Sequence, residues 1–94
     1  MNKRELVAAA ARRTPLTQRQ VRQALEAILE TIAEALIEDE TVALAEFGRF
    51  QVQRYPARKL RRFDGPGHYK VESRRVPVFR SSQRLRQRIR EGGR

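Results

Sequence analysis

Residues 47–79, FGRFQVQRYPARKLRRFDGPGHYKVESRRVPVF, decide how this chain folds. At the start of the stretch, Phe50 and Val52 fall on one face of a strand. Arg49, Gln51 and Gln53 fall on the other. At its end, Val76-Pro77-Val78-Phe79 returns to apolar strand character. Between Gln53 and Arg75 the bulky apolar residues thin out and cations crowd in: Arg54, Arg58, Lys59, Arg61, Arg62, Lys70, Arg74 and Arg75. Asp64-Gly65-Pro66-Gly67 in the middle is a strong turn signal. The simplest reading is a two-stranded ribbon with its tip there. Each limb of about ten residues spans ~33 Å at ~3.3 Å per residue. An isolated ribbon is marginal in water, so this one is expected to order only against a ligand.

Upstream, Thr41-Val42-Ala43-Leu44 reads as a short strand. Two capping boxes precede it: Asn2 with Glu5, and Thr17 with Gln20. The first opens an Ala-rich helix that Thr14-Pro15 ends, because the residue before proline avoids the helical region. The second opens a long helix to about Glu38. Val21, Ala24, Leu25, Ile28, Leu29, Ile32, Leu36 and Ile37 give it a broad apolar stripe. That stripe is wider than the first helix can cover, which points to a dimer with Leu29, Ile32 and Leu36 in its core. Downstream, Ser81 or Ser82 caps a last helix with Leu85 and Ile89 inward and Arg84, Arg86, Arg88 and Arg90 outward. The chain divides as one domain over residues 1–94, with a helical dimerisation base at 1–40. A sheet follows at 41–52 and 76–80, an arm at 53–75 and a C-terminal helix at 81–91.

The 94 residues carry a net charge of +10, and its distribution is uneven. Residues 1–48 are net −2 and residues 49–94 net +12, with 18 of the 21 basic residues Arg. A polyanion-binding half on a more neutral scaffold follows from that asymmetry. Arg, whose guanidinium forks onto phosphate, suits the task better than Lys. With no cysteine, disulfides, thiolate zinc sites and cysteine nucleophiles are excluded. Leu6 to Ala11 is too short for a signal or membrane segment, so the expected location is the cytoplasm.

Catalysis is a poor fit. His68 stands alone beside the ribbon tip, without the partners that acid–base chemistry needs. Gly65-Pro66-Gly67 lacks the helix start and Lys-Ser/Thr of a phosphate-cradling loop. Glu38-Asp39-Glu40 lacks calcium-loop spacing and reads as a solvated helix end, although acids there oppose the helix dipole. No metal, cofactor, small-molecule substrate or membrane partner is expected. The cations of the ribbon have chemical content, because they can follow a nucleic-acid groove and displace condensed counterions. Phe63 beside the tip either wedges between base steps or packs across the hairpin on Tyr69 or Leu60. Helix starts near Lys3 and Ser82, with Arg80 and Arg86 close by, offer further phosphate positions.

With these motifs in place, the chain resembles the bacterial histone-like proteins HU and integration host factor over about its whole length. The resemblance rests on Met1-Asn2-Lys3 opening an Ala-rich helix, on Phe47-Gly48-Arg49-Phe50, on the basic arm and on Val76-Pro77-Val78-Phe79-Arg80. It implies an α+β fold in an intertwined homodimer, or a heterodimer with a related chain. That dimer has a helical base, a small antiparallel sheet saddle and two protruding β-ribbon arms on the DNA minor groove. It also implies a nucleoid location. Phe47, Phe50 and Phe79 become core and interface residues. Arg58 and Arg61 match arm arginines, Arg75 and Arg80 match positions flanking the last strand motif, and Lys3 and Arg86 match saddle positions. Phe63 stands where the family has an intercalating proline, Leu60 where Gly is usual, and Glu46 where Gly is common.

The expected function is therefore a DNA-condensing, DNA-bending protein that binds duplex largely without sequence preference. Its expected contacts are Lys3, Arg54, Arg58, Lys59, Arg61, Arg62, Phe63, Lys70, Arg74, Arg75, Arg80, Ser82 and Arg86. A sequence-selective bender like integration host factor is the alternative within DNA binding. An RNA-binding protein is less favoured, because only 6% of residues are aromatic and half of these are committed to the core.

Overall fold

Both capping boxes form as the sequence reads. In this computed structural model, which describes residues 1–93, Glu5 N donates to Asn2 Oδ1 at 2.8 Å and Asn2 N to Glu5 Oε1 at 3.3 Å. Gln20 N donates to Thr17 Oγ1 at 3.1 Å and Thr17 N to Gln20 Oε1 at 2.9 Å. The helices they start are α1 (Lys3–Ala11) and α2 (Gln18–Ile37). Helix α1 stops short of Thr14-Pro15. Arg13 N and Thr14 N already bond three residues back, to Ala10 O and Ala11 O, so the chain tightens into a turn before the proline.

The residues divide into two compact units, one Met1–Glu34 and the other from Ala35 onward. In the first, Val7 is 1% exposed and Ala11 is buried, and these are the only fully buried apolar residues among those described. Leu29, on α2, stays 44% exposed and Ile32 is half-buried.

The second unit opens with the last turn of α2. Glu40 N bonds Ala35 O at 2.8 Å and Asp39 N bonds Leu36 O at 3.0 Å, with Asp39 left-handed at φ 60°. This is a Schellman ending with aspartate in the position glycine usually fills. Strands β1 (Val42–Leu44), β2 (Gly48–Tyr55) and β5 (Arg74–Ser81) follow as an antiparallel sheet in the order β1-β2-β5. Pro77 is tolerated because β5 lies at the sheet edge.

Phe79 lies opposite Phe50 in the ladder, with ring centroids 5.0 Å apart, and 5.5 Å from Phe47. Gly48 makes room for that ring: a Cβ there would stand 2.6 Å from Phe79 Cζ and 2.5 Å from the Arg80 carbonyl oxygen. The Phe47-Gly48-Arg49-Phe50 motif is thus a seat for Phe79.

The β2–β5 ladder runs from Gly48↔Ser81 to Tyr55↔Arg74, three residues past the sheet boundary expected at 52. Cross-strand contacts carry it there. The Arg74 guanidinium lies 4.7 Å over the Tyr55 ring, and Arg54 and Arg75 share a carboxylate. Pro56, with no N–H to give, ends it. Pairing resumes as a separate ribbon of β3 (Arg58–Arg61) and β4 (His68–Val71), in register Arg58↔Val71 to Arg61↔His68. At its end Arg62 N bonds Gly67 O at 3.1 Å, which closes the Asp64-Gly65-Pro66-Gly67 turn. Helix α3 (Gln83–Gly92) begins at Ser82, whose Oγ accepts from Leu85 N at 3.0 Å.

Candidate nucleic-acid interface

The strict alternation of strand side chains sorts the cations of the sheet onto two faces. Phe50, Val52 and Arg54 share one face with Phe79, Pro77 and Arg75. Arg49, Gln51, Gln53 and Tyr55 share the other with Arg80, Val78, Val76 and Arg74. Arg49, Arg74 and Arg80 are exposed on that second face. Arg49 Nε donates to Gln51 Oε1 at 2.9 Å, which steadies its guanidinium.

Arg54 and Arg75 serve another contact. Arg54 Nη2 reaches Asp39 Oδ2 at 2.6 Å and Arg75 Nη2 reaches Asp39 Oδ1 at 2.9 Å. Arg75 Nη2 also reaches the carbonyl oxygens of Leu36, which already accepts from Asp39 N, and of Ile37, at 3.2 and 2.9 Å. A guanidinium at the end of α2 satisfies those carbonyls and opposes the negative end of the helix dipole. The hydrogen bonds from Arg75, then from Arg54, hold the Asp39 carboxyl below its ordinary value of 3.8. Asp39 is thus an exposed helix end, as the sequence reads, that also binds two arginines. Its two arginines lie on the sheet face opposite Arg49, Arg74 and Arg80.

On the ribbon, Lys59 and Lys70 face each other across the ladder, next to Arg61 and His68 on the same face. Arg58, Leu60, Tyr69 and Val71 form the other face. Two weak ion pairs dress the ribbon, Lys70–Glu72 at 3.8 Å and Arg62–Asp64 at 3.6 Å. Phe63 is 100% exposed, so the packing onto Tyr69 or Leu60 is not formed. Beyond the ribbon, Arg86 Nη1 donates to the Ser81 carbonyl at 2.6 Å, beside the Ser82 cap. Lys3 is exposed on α1, in the other unit. Leu36 and Phe50 are half-buried, while Phe47 and Phe79 remain 48% and 41% exposed.

Two residues escaped the sequence reading. Asp39 looked like one acid of three, and its role depends on strands that arrive later in the chain. Arg49 was legible, because the Phe50/Val52 alternation already set it on the polar face. Among the described residues no cluster of His, Asp and Glu is arranged to hold a metal, and no helix is long and apolar enough to cross a membrane.

Residues 1–90 match the family described as bacterial DNA-binding protein. The chain belongs to that family. Similar relatives carry the HU name. The DNA-binding protein HU of Staphylococcus aureus (strain COL) is 32% identical over 89 residues, covering 95% of this chain and 99% of the relative. Among solved structures, an HU–DNA cocrystal from Anabaena superposes with a TM-score of 0.83 at 35% identity, covering 95% of this chain and 97% of that one. HU from Thermotoga maritima gives 0.69 at 29% identity, covering 95% and 98%. The α+β fold is thus an HU fold, and the family is one of DNA-binding proteins rather than enzymes.

Proposed function

We propose that this chain is a non-enzymatic architectural protein of the nucleoid that binds duplex DNA with little sequence preference and bends it. The observation that carries this reading is the ribbon: cations line one face, and a fully exposed Phe63 stands at the tip. Cations on a narrow two-stranded element neutralise phosphates along a groove, and an apolar side chain at its end can wedge between neighbouring bases and unstack them. Arg58, Lys59, Arg61, Arg62 and Lys70 are assigned to the arm contact. Arg74, Arg80, Ser82, Arg86 and Lys3 are assigned to the flanking backbone. Arg54 and Arg75 are assigned to the fold, through Asp39. The HU relatives, one of them crystallised with DNA, support the same reading.

The working unit is a dimer. A 94-residue chain with Val7 and Ala11 as its only fully buried apolar residues among those described has too little core to stand alone. Leu29, Phe47 and Phe79, half open to solvent, are the surface a second copy covers.

End-to-end fluorescence energy transfer on a doubly labelled duplex of arbitrary sequence, titrated at two salt concentrations, tests the proposal. Transfer is expected to rise on binding and binding to weaken with salt. A dimer that neutralises ~8 phosphates gives a slope of log K against log[salt] of about −7. Binding without a rise in transfer overturns bending. One tight site far above background overturns non-specificity.

A further inference from the structure

Three like-charged pairs face each other along the long hairpin: Arg49 with Arg80, Arg54 with Arg75, and Lys59 with Lys70. Like charges directly opposite on antiparallel strands repel, with Cβ atoms only ~5 Å apart. The middle pair shows how such repulsion is resolved. Arg54 and Arg75 each place Nη2 on a different oxygen of one carboxylate, at 2.6 and 2.9 Å. Two arginines at this register thus make a clamp that fits one anion with two adjacent oxygens.

The Arg49–Arg80 pair has the same register relationship on the opposite face of the same two strands. No acid answers it: among the described residues neither arginine is in an ion pair. Arg49 is steadied through Nε by Gln51, which leaves both of its terminal nitrogens free. Ala43, its neighbour on β1, is too small to cover it. We propose that Arg49 and Arg80 form a cross-strand clamp for a single backbone phosphate, one guanidinium on each non-bridging oxygen. The clamp deepens the proposed function and rests on it, since the phosphate is one of the bound duplex. Arg is suited to this because its planar fork matches phosphate geometry.

Salt-dependent duplex binding by wild type, Arg49→Ala, Arg80→Ala and the double variant tests it. If both arginines grip one phosphate, the double variant loses about 0.9 of salt slope per protomer, the contribution of a single phosphate. In the dimer that is a loss of about 1.8, whereas a loss of about 3.6 means two separate phosphates on each protomer and overturns the clamp. An unchanged slope overturns the contact altogether. Absence of wild-type binding overturns both the functional reading and the clamp, whereas wild-type binding with unchanged variants overturns the clamp alone.

A second readout needs no DNA. Arg49→Gln removes the repulsion and is expected to raise the thermal midpoint at low salt, with the gain vanishing at high salt as charges are screened. A lowered midpoint at low salt overturns the claim that the pair stands uncompensated.

Discussion

Arg75 places Nη2 2.9 Å from the Asp39 carboxylate, and so ties strand β5 to the end of helix α2. The same nitrogen reaches the carbonyls of the last helical turn at Leu36 and Ile37. One side chain thereby closes the helix, neutralises an acid that opposes the helix dipole, and anchors the ladder where the hairpin leaves the sheet.

That contact makes stability depend on acid. The folded-state pKa of Asp39 lies below 3.8, through its bonds to Arg75 and Arg54, so the folded protein holds this proton less readily than the unfolded chain. The stabilisation is present in full well above pH 3.8 and is lost as pH falls through the lowered folded value. Thermal midpoints measured from pH 7 downward are expected to fall less steeply for Asp39→Asn than for wild type. Parallel curves would dismiss Asp39 as a contributor.

Gly48 is the position least able to accept a side chain. Gly48→Ala sets a methyl group against the Phe79 ring and the Arg80 carbonyl, both within 2.6 Å. Overpacking of this kind costs about 1–3 kcal/mol, which urea denaturation would register as a lower midpoint. A midpoint equal to wild type would mean that the Phe79 ring moves aside freely.

Glu46 offers the opposite change. It holds φ at 65° in the turn before Gly48, a left-handed conformation that costs a non-glycine residue about 1–2 kcal/mol. Glu46→Gly recovers some of this, less the chain entropy glycine loses. The expected net gain is about 0.5–1 kcal/mol in denaturant unfolding. A loss of stability would point to an unseen task for the Glu46 side chain.

Phe63→Ala tests bending apart from binding. With nothing packed against it in the free protein, Phe63→Ala is expected to leave the fold unchanged. Energy transfer at saturating protein should drop by more than half, while affinity falls by no more than about tenfold, ~1.4 kcal/mol. Equal bending by the two proteins would remove Phe63 as the wedge.

Dimerisation predicts that the thermal midpoint rises with protein concentration, because association stabilises the folded state by mass action. Phe47→Asp, which puts a charge on the half-open aromatic cluster, should lower the midpoint and shift sedimentation towards monomer. A midpoint independent of concentration together with a monomeric mass would refute the dimer.

Much of this protein is written locally in its sequence. The capping boxes at Asn2 and Thr17 need only a side chain and an amide three residues away, and both form as read. The turn at Asp64–Gly67 is also legible, because proline and glycine restrict or free the backbone around themselves, whereas the seat of Phe79 over Gly48 appears only in the folded sheet. Strand alternation separates Arg49 from Arg54 without any coordinates. The structure decided what depends on residues far apart in the chain. It carried the ladder out to Tyr55, left Phe63 uncovered, and brought Arg54 and Arg75 onto Asp39. The reason is physical. A charged side chain binds the nearest opposite charge, and for Arg75 that carboxylate lies 36 residues away in sequence, brought within reach only when β5 pairs with β2 beside the end of α2.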